Sequence, residues 1–532
     1  MRALGGRVGR HISIIQGFAA TVPSSKLTAL RAGKGIHSVT PNRSVRLSGD
    51  INGWDQQHDA GSVWAVNEMT GAHEMWGRGY TGKGVDVALI DSGVVPVNGL
   101  ATTGKIVHGA DLSFESQAPH LRYLDTYGHG THLAGIIAGR DSGLSRTQRD
   151  ANVFQGVAPE ARVVSVKVAD AHGLTDVSQV LAAIDWVVQH RRENGLNIRV
   201  LNLSFGTDGV QDYRLDPLTY AAEVAWRKGI VVVVAAGNAG FGSAKLNNPA
   251  YDPFVIAVGA ADGKGTYGNS DDVVPSWSSS GDGTRNPDLV APGTSVVSLR
   301  SPGSHVDLTH PRGRVGYSRF FRGSGTSQAA AVVSGAAALL IQQRPTITPD
   351  QLKALLRSSA TTIPGADARA QGAGMLNLNV ARTKATPIAR QLHGPALGTG
   401  SLEAARGSTH LVASNGVELR GEIDIFGQPW NPVLWPTQSL AETSWSGGTW
   451  NGNAWSGNAW AGNAWEANAW EANAWYGNAW EANAWEANAW SGNAWAGNAW
   501  EANAWAGNAW ESNAWDSNAW SSNAWTSSTW GG

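Results

Sequence analysis

The 532-residue chain contains no cysteine. Disulfides, thiolate metal sites and a cysteine nucleophile are therefore excluded, although the absence does not fix the compartment. Charge is also scarce: Asp, Glu, Lys and Arg together make up 15% of the residues, against roughly a quarter in an average soluble protein. The formal net charge is −2, and it is unevenly placed. From Thr443 onward there are seven acids and neither Lys nor Arg, which leaves +5 for everything before it. That field is too dilute to recruit nucleic acid or an anionic membrane. Apolar runs such as Gly229 to Ala236 and Ala329 to Ile341 fall short of the about 18 residues needed to cross a bilayer, so no membrane span is expected. The first apolar cluster, Ile12-Ser13-Ile14-Ile15, is too short and interrupted for the core of a signal peptide.

Tryptophan, by contrast, is abundant. Of 26 Trp, 18 stand at every fifth position from Trp445 to Trp530, leaving eight for the first 444 residues. The repeat reads x-small-Asn-Ala-Trp, with 15 Asn-Ala-Trp units from Trp455 to Trp525, and all seven acids occupy its first position. A period of five puts successive Trp on opposite faces of a flat strand and turns them by about 140° on a helix, so neither element gains one apolar face. Each pentad could instead form one side of a square, stacked coil. The composition equally permits a disordered tail, although disorder is usually poor in aromatics, or fibre-like self-association. The residues leave these three open. A Trp ladder could stack on sugars or attach the chain to a cell-surface polymer.

From Val85 to Ala381 short β-branched runs alternate with amphipathic stretches. Val85 to Ile90, Ala161 to Val168, Ile198 to Leu203, Ile230 to Ala235 and Phe254 to Val258 predict buried strands. Thr131 to Ala138, Asp176 to His190, Leu218 to Lys228, Gly325 to Gln343 and Gln351 to Ser358 predict helices, the last with Thr348 as N-cap and Pro349 at its first position. Strands separated by helices predict an α/β fold, a three-layer α/β/α with a mainly parallel sheet. Ligands bind such sheets at the carboxyl ends of the strands.

Chemistry-bearing residues fall at those ends. Asp91-Ser92-Gly93 follows the first predicted strand, His129 opens the Thr131 helix, and Gly325-Thr326-Ser327 opens the long apolar one. A serine hydroxyl becomes a nucleophile when an imidazole takes its proton, and the imidazole needs a carboxylate to fix its tautomer. Ser327 at a helix N-terminus meets free N–H groups that favour developing negative charge. Asn238, in Ala235-Ala236-Gly237-Asn238 after another strand, could donate to an oxyanion beside the Ser327 N–H. Taken singly, each string reads as a turn or cap, and His132 reads as a packing residue.

Together, Val87 to Val94, His129 to Gly135, Gly156-Val157-Ala158-Pro159, Leu201 to Gly206, Ala235 to Asn238, Pro287 to Gly293 and Gly325 to Ser327 resemble the subtilisin-like serine proteases, the subtilases, over about 300 residues. The chain order Asp, His, Ser is the known subtilisin order. The resemblance implies a serine endopeptidase with Asp91 as orienter, His129 as general base and acid, Ser327 as nucleophile and Asn238 as oxyanion donor. It makes Ser204, Phe205 and Gly206 an edge that pairs with extended peptide, and Ala235, Ala236 and Gly237 one wall of the pocket before the scissile bond. No cofactor is implied for the chemistry. Two departures stand out. Gln328-Ala329-Ala330-Ala331 follows the nucleophile where the family usually has a Met-like residue and then, at the fourth position, Pro. Val94 to Leu100 lacks the carboxylate that often contributes to the family's tight calcium site, which argues against a structural calcium.

The resemblance also divides the chain. Residues 1–50 look like the latter part of an inhibitory prodomain, either one whose start lies upstream or a relic, 51–385 like the catalytic domain, 386–442 like a connector with a short hairpin around Ser414-Asn415-Gly416, and 443–532 form the Trp-rich tail. The expectation is self-cleavage between Asn42 and Ala60 in an extracellular or cell-surface protease acting on peptides, proteins and its own prodomain. The competing expectation is a surface-binding or assembly protein with a vestigial protease domain.

Overall fold

The computed structural model describes residues 2–12, 17–37, 39, 54–144, 149–209, 211–241, 246–268, 270–412, 418–446 and 448–454. The Asn-Ala-Trp units from Trp455 onward and most of the expected self-cleavage stretch lie outside them. The chain divides into two units, Met1–Asp50 and Ile51–Gly532. In the first, Arg7–Ile12 pairs antiparallel with Gly17–Thr21, and a short helix, Leu27–Arg31, follows.

The second unit is built on seven strands: β1 (Asp86–Asp91), β2 (Ile106–Asp111), β3 (Arg162–Lys167), β4 (Ile198–Leu203), β5 (Val231–Ala235), β6 (Ile256–Ala261) and β7 (Leu289–Pro292). Their order is β2-β3-β1-β4-β5-β6-β7, and every pairing is parallel. Asp86-Val-Ala-Leu-Ile-Asp91 is buried throughout, as expected of a central parallel strand covered on both faces. α1 (His129–Ala138) packs on α4 (Thr326–Gln343), which lies across β4 to β7, while α2 (Val177–His190) pairs with α3 (Pro217–Arg227). This is the three-layer α/β/α arrangement. Small residues let α4 approach closely: a Cβ at Gly335 would sit 2.6 Å from the Cβ of Val157.

The predicted caps are present. Asp176 closes a capping box with Gln179 at the start of α2, and Thr348 closes one with Gln351 at α5 (Pro349–Ser359), with Pro349 in the first turn. Each satisfies N–H groups that the first helical turn leaves unpaired. β2 and β7 escape the sequence pattern because one is a half-buried edge carrying His108 and Gly109, and the other has only four residues and ends in Pro. β6 starts later than the apolar run predicts. Lys353 Nζ donates to the carbonyls of Pro253 (2.5 Å) and Val255 (2.8 Å), so the backbone there is satisfied outside the ladder.

Of the stretch 386–442, the described residues belong to the catalytic unit, as do the first pentads of the Trp register. Val412 bridges Glu418 and the Leu419 N–H donates to the Leu411 carbonyl, while residues 413–417, where the hairpin turn is expected, lie outside the described set. Trp435 and Trp450 are buried at 1% and 0% exposure. Trp445–Ser446, Thr449–Trp450 and Asn453–Ala454 form a small antiparallel meander. Its second turn puts Asn451 at φ 48° and Gly452 at φ 83°, the left-handed pair that a two-residue hairpin turn requires.

Candidate active site

Asp91 ends β1, an interior strand of the sheet, and His129 is the first residue of α1. Close backbone contact brings them together. A Cβ at Gly130 would fall 2.1 Å from the Gly93 carbonyl oxygen, so only glycine lets the start of α1 meet the end of β1. His129 Nδ1 then lies 2.8 Å from Oδ1 and 2.9 Å from Oδ2 of Asp91. The Ser92 N–H also donates to Asp91 Oδ1, at 2.8 Å. With Nδ1–H held by the carboxylate, the other ring nitrogen is the one left to accept a proton.

Burial pushes the His129 pKa down, but the charge of Asp91 and its hydrogen bond push harder, and the net shift is upward. The fold therefore favours the imidazolium that a general base becomes.

The N-terminus of α1 is held by Asp125, which the sequence reading missed. Its carboxylate accepts from the N–H of Gly128 (2.6 Å) and Thr131 (2.7 Å) and from Ser92 Oγ (2.7 Å). Gly128, the residue before the helix, has no side chain to do this and sits at φ 109°. Burial raises the Asp125 pKa against the pull of these donors. The only sequence signal is an Asp four residues ahead of His129. His132 packs: its Nε2 donates to the Phe321 carbonyl at 3.0 Å, and burial lowers its pKa to about 4.

Ser327 is the second residue of α4 and is half-buried. Thr326 fixes Asn238: its N–H and its Oγ each lie 3.0 Å from Asn238 Oδ1, and the Gly237 N–H donates back to Thr326 Oγ1 at 3.1 Å. With Oδ1 occupied twice, the Asn238 amide presents Nδ2. Its distance to a Cβ built at Gly325 is 3.6 Å, so Nδ2 lies beside the turn into α4. The first turn of α4 contributes N–H groups without intrahelical partners.

One cleft brings together Asp91, His129, Ser327, Asn238, Ser204 and Phe205. Gly206, Ala235, Ala236 and Gly237 are not among its lining residues. Gly206 lies against Asn247 and Asn248, and Ala236 is buried with its N–H on the Val258 carbonyl. Tyr127, Thr175 and Gln328 are among the lining residues that the sequence does not single out. Gln328 is 1% exposed, and its Nε2 has no hydrogen-bond partner among the described residues. Among those residues no three His, Asp or Glu side chains are grouped to hold a metal. Val94 to Leu100 contains no Asp or Glu. No helix among them is long and apolar enough to cross a membrane.

Residues 82–374 match the Subtilase family. The chain is 39% identical over 307 residues to "Serine protease AprX" of Bacillus subtilis (strain 168), covering 57% of this chain and 66% of that protein. It is 31% identical over 286 residues to "Minor extracellular protease Epr" of the same organism, covering 54% and 36%. Against "Subtilisin DY" of Bacillus licheniformis it is 32% identical over 312 residues, covering 58% of this chain and 95% of that one. The matched region thus spans nearly all of one relative and about a third of another.

Proposed function

The chain belongs to the subtilase family of subtilisin-like serine proteases, and from that premise we propose that it is a serine endopeptidase working through Asp91, His129, Ser327 and Asn238. The observation that carries this reading is the two-oxygen contact of Asp91 with His129 Nδ1 in the same cleft as Ser327 and Asn238. In the reaction, Ser327 Oγ attacks the scissile carbonyl while His129 Nε2 takes its proton. Asn238 Nδ2 and the Ser327 N–H receive the oxyanion that forms. The C–N bond then breaks as His129 passes the proton to the leaving amine, and water, activated by the same imidazole, releases the acyl group. Asp91 keeps the imidazole in the right tautomer throughout and stabilises its charged form.

The edge at Ser204 and Phe205, both lining the cleft, suits an extended main chain. Unfolded or looped protein is then the substrate class. In the same reading residues 1–50 act as an inhibitory prodomain removed by self-cleavage, and the protease works outside the cell or at its surface. The similar protease Epr, named a minor extracellular protease, supports that location. An organophosphonate serine probe tests the chemistry. Labelling of the wild-type chain that disappears in Ser327→Ala is the expected result, and a wild-type chain freed of residues 1–50 that takes no label overturns it.

A further inference from the structure

A short C-terminal segment reaches both borders of the cleft. Sheet order sets β3 and β4 on either side of β1. The chain leaving β3, as far as Thr175, and the chain leaving β4, at Ser204 and Phe205, therefore border the cleft from opposite sides of Asp91. Ser401 to Ser408 lies outside the residues matched to the family, yet it is bonded to both.

On the β3 side the contact is Arg406, whose side chain is fully buried. Its Nε donates to Asp176 Oδ2 at 2.6 Å, and its Nη1 to the Gly421 carbonyl at 2.7 Å. Asp176 directly follows the cleft-lining Thr175, and its other oxygen caps α2. On the β4 side the neighbouring residue acts. The Ala405 carbonyl accepts from Thr207 Oγ1 at 2.6 Å, two positions after Phe205. Asp208 then accepts the N–H of Ser408 at 2.7 Å and its hydroxyl at 2.6 Å. The backbones touch as well: a Cβ at Gly209 would lie 2.7 Å from the Ala404 carbonyl oxygen. Consecutive residues, Ala405 and Arg406, thus hold opposite borders of one cleft.

We propose that residues 401–408 are a brace that sets the spacing of the two cleft borders, with Arg406 and Thr207 as positioning residues for extended peptide substrate. The proposal rests on the endopeptidase reading. A charged anchor suits the task, because a buried guanidinium with fixed donors permits one geometry where an apolar contact would tolerate several. A peptide long enough to lie along both borders feels their spacing, whereas a single-residue ester engages only the catalytic groups.

The test compares full-length wild type with Thr207→Val, Asp208→Ala and Arg406→Met. Each is assayed on a chromogenic peptide with four residues before the scissile bond and on a single-residue ester, alongside the phosphonate labelling rate. Arg406→Met strands Asp176 in the interior and can unfold the chain, so the two milder variants carry the decision. In these the expected result is a rise of about tenfold in KM for the long peptide, less than the roughly hundredfold loss a full 1 Å misplacement can cause, with ester turnover and labelling unchanged. Equal losses on both substrates, or no loss on either, overturn the brace while leaving the endopeptidase reading standing. A wild type that takes no label overturns both.

Discussion

Thr326 spends both its hydroxyl and its backbone N–H on a single oxygen, Oδ1 of Asn238, at 3.0 Å each. An amide pinned by its oxygen can turn only its nitrogen toward the cleft. In the proposed mechanism Thr326 thus prepares Asn238 as oxyanion donor before substrate arrives, which is where preorganised electrostatics acts in an acyl transfer.

The first prediction follows. Asn238→Ala should lower kcat by about 10²–10³ with little change in KM, a magnitude known from subtilisin itself. Thr326→Val keeps the shape but removes the hydroxyl, leaving one anchor of two. Its kcat should fall by a smaller factor, roughly tenfold, and the double variant Thr326→Val with Asn238→Ala should be no worse than Asn238→Ala alone. Additive losses in steady-state kinetics would show that Thr326 acts by another route.

The second prediction concerns pH. Burial works against the charged form of His129, Asp91 outweighs it, and the pKa ends above the ordinary 6.5. The general base must be neutral, so the acid limb of kcat/KM should fall at a pH above 6.5. Stability moves the opposite way. A histidine whose folded pKa is raised contributes stability that is fully present below its unfolded pKa and is lost as pH rises through the folded value. Activity should thus appear over the pH window in which this contribution fades. A limb at or below 6.5 in a pH–rate profile would contradict the arrangement. Asp91→Asn, which removes the charge and the tautomer control, should cost about four orders of magnitude in kcat.

The third prediction is for Asp125, which is not among the residues lining the cleft. Asp125→Ala releases the N–H groups of Gly128 and Thr131 together with Ser92 Oγ. Loss of such a cap costs about 1–2 kcal/mol. Denaturant unfolding should register that loss, and kcat should drop with it because His129 opens the helix that Asp125 anchors. Asp125→Asn, which can still accept but is uncharged, should restore part of both. Full stability without recovered activity would mean that the carboxylate acts on the chemistry through its charge.

Much of this site is legible in the sequence because its parts sit at ends of elements whose patterns are strong. Asp91 follows a continuous apolar run, His129 and Ser327 open apolar helices, and parallel-sheet logic sends all three to one edge. Asp125 and Thr326 are not legible, since each acts through bonds that the folded loops bring about. The C-terminal side is hidden for a stronger reason. A connector and a buried layer differ in whether distant partners exist, and Trp450 meets its partner 265 positions away.

That partner, Asp185, is the basis of the last prediction. Its Oδ2 accepts the indole N–H of both Trp435 and Trp450, each at 2.9 Å, while Ser439 Oγ donates to Oδ1. Trp445 attaches beside them through the Ala182 carbonyl, at 2.8 Å. Burial raises the Asp185 pKa, and the hydrogen bonds from Ser439, Trp450 and Trp435 pull it back. Asp185→Ala would leave two indoles buried without acceptors. A buried donor that loses its partner costs about 1–3 kcal/mol, so the variant should be destabilised by several kcal/mol if the segment stays in place. Release of the segment relieves that cost, and then Trp435 and Trp450 enter water. Their fluorescence should shift to the red, and limited proteolysis should cut beside Trp435 or Trp450 in the variant but not in the wild type. Asp185→Asn retains an acceptor oxygen and should hold the segment with a smaller loss. If Asp185→Ala shows neither the red shift nor a lowered unfolding midpoint, the indoles are held by packing alone and the carboxylate is dispensable.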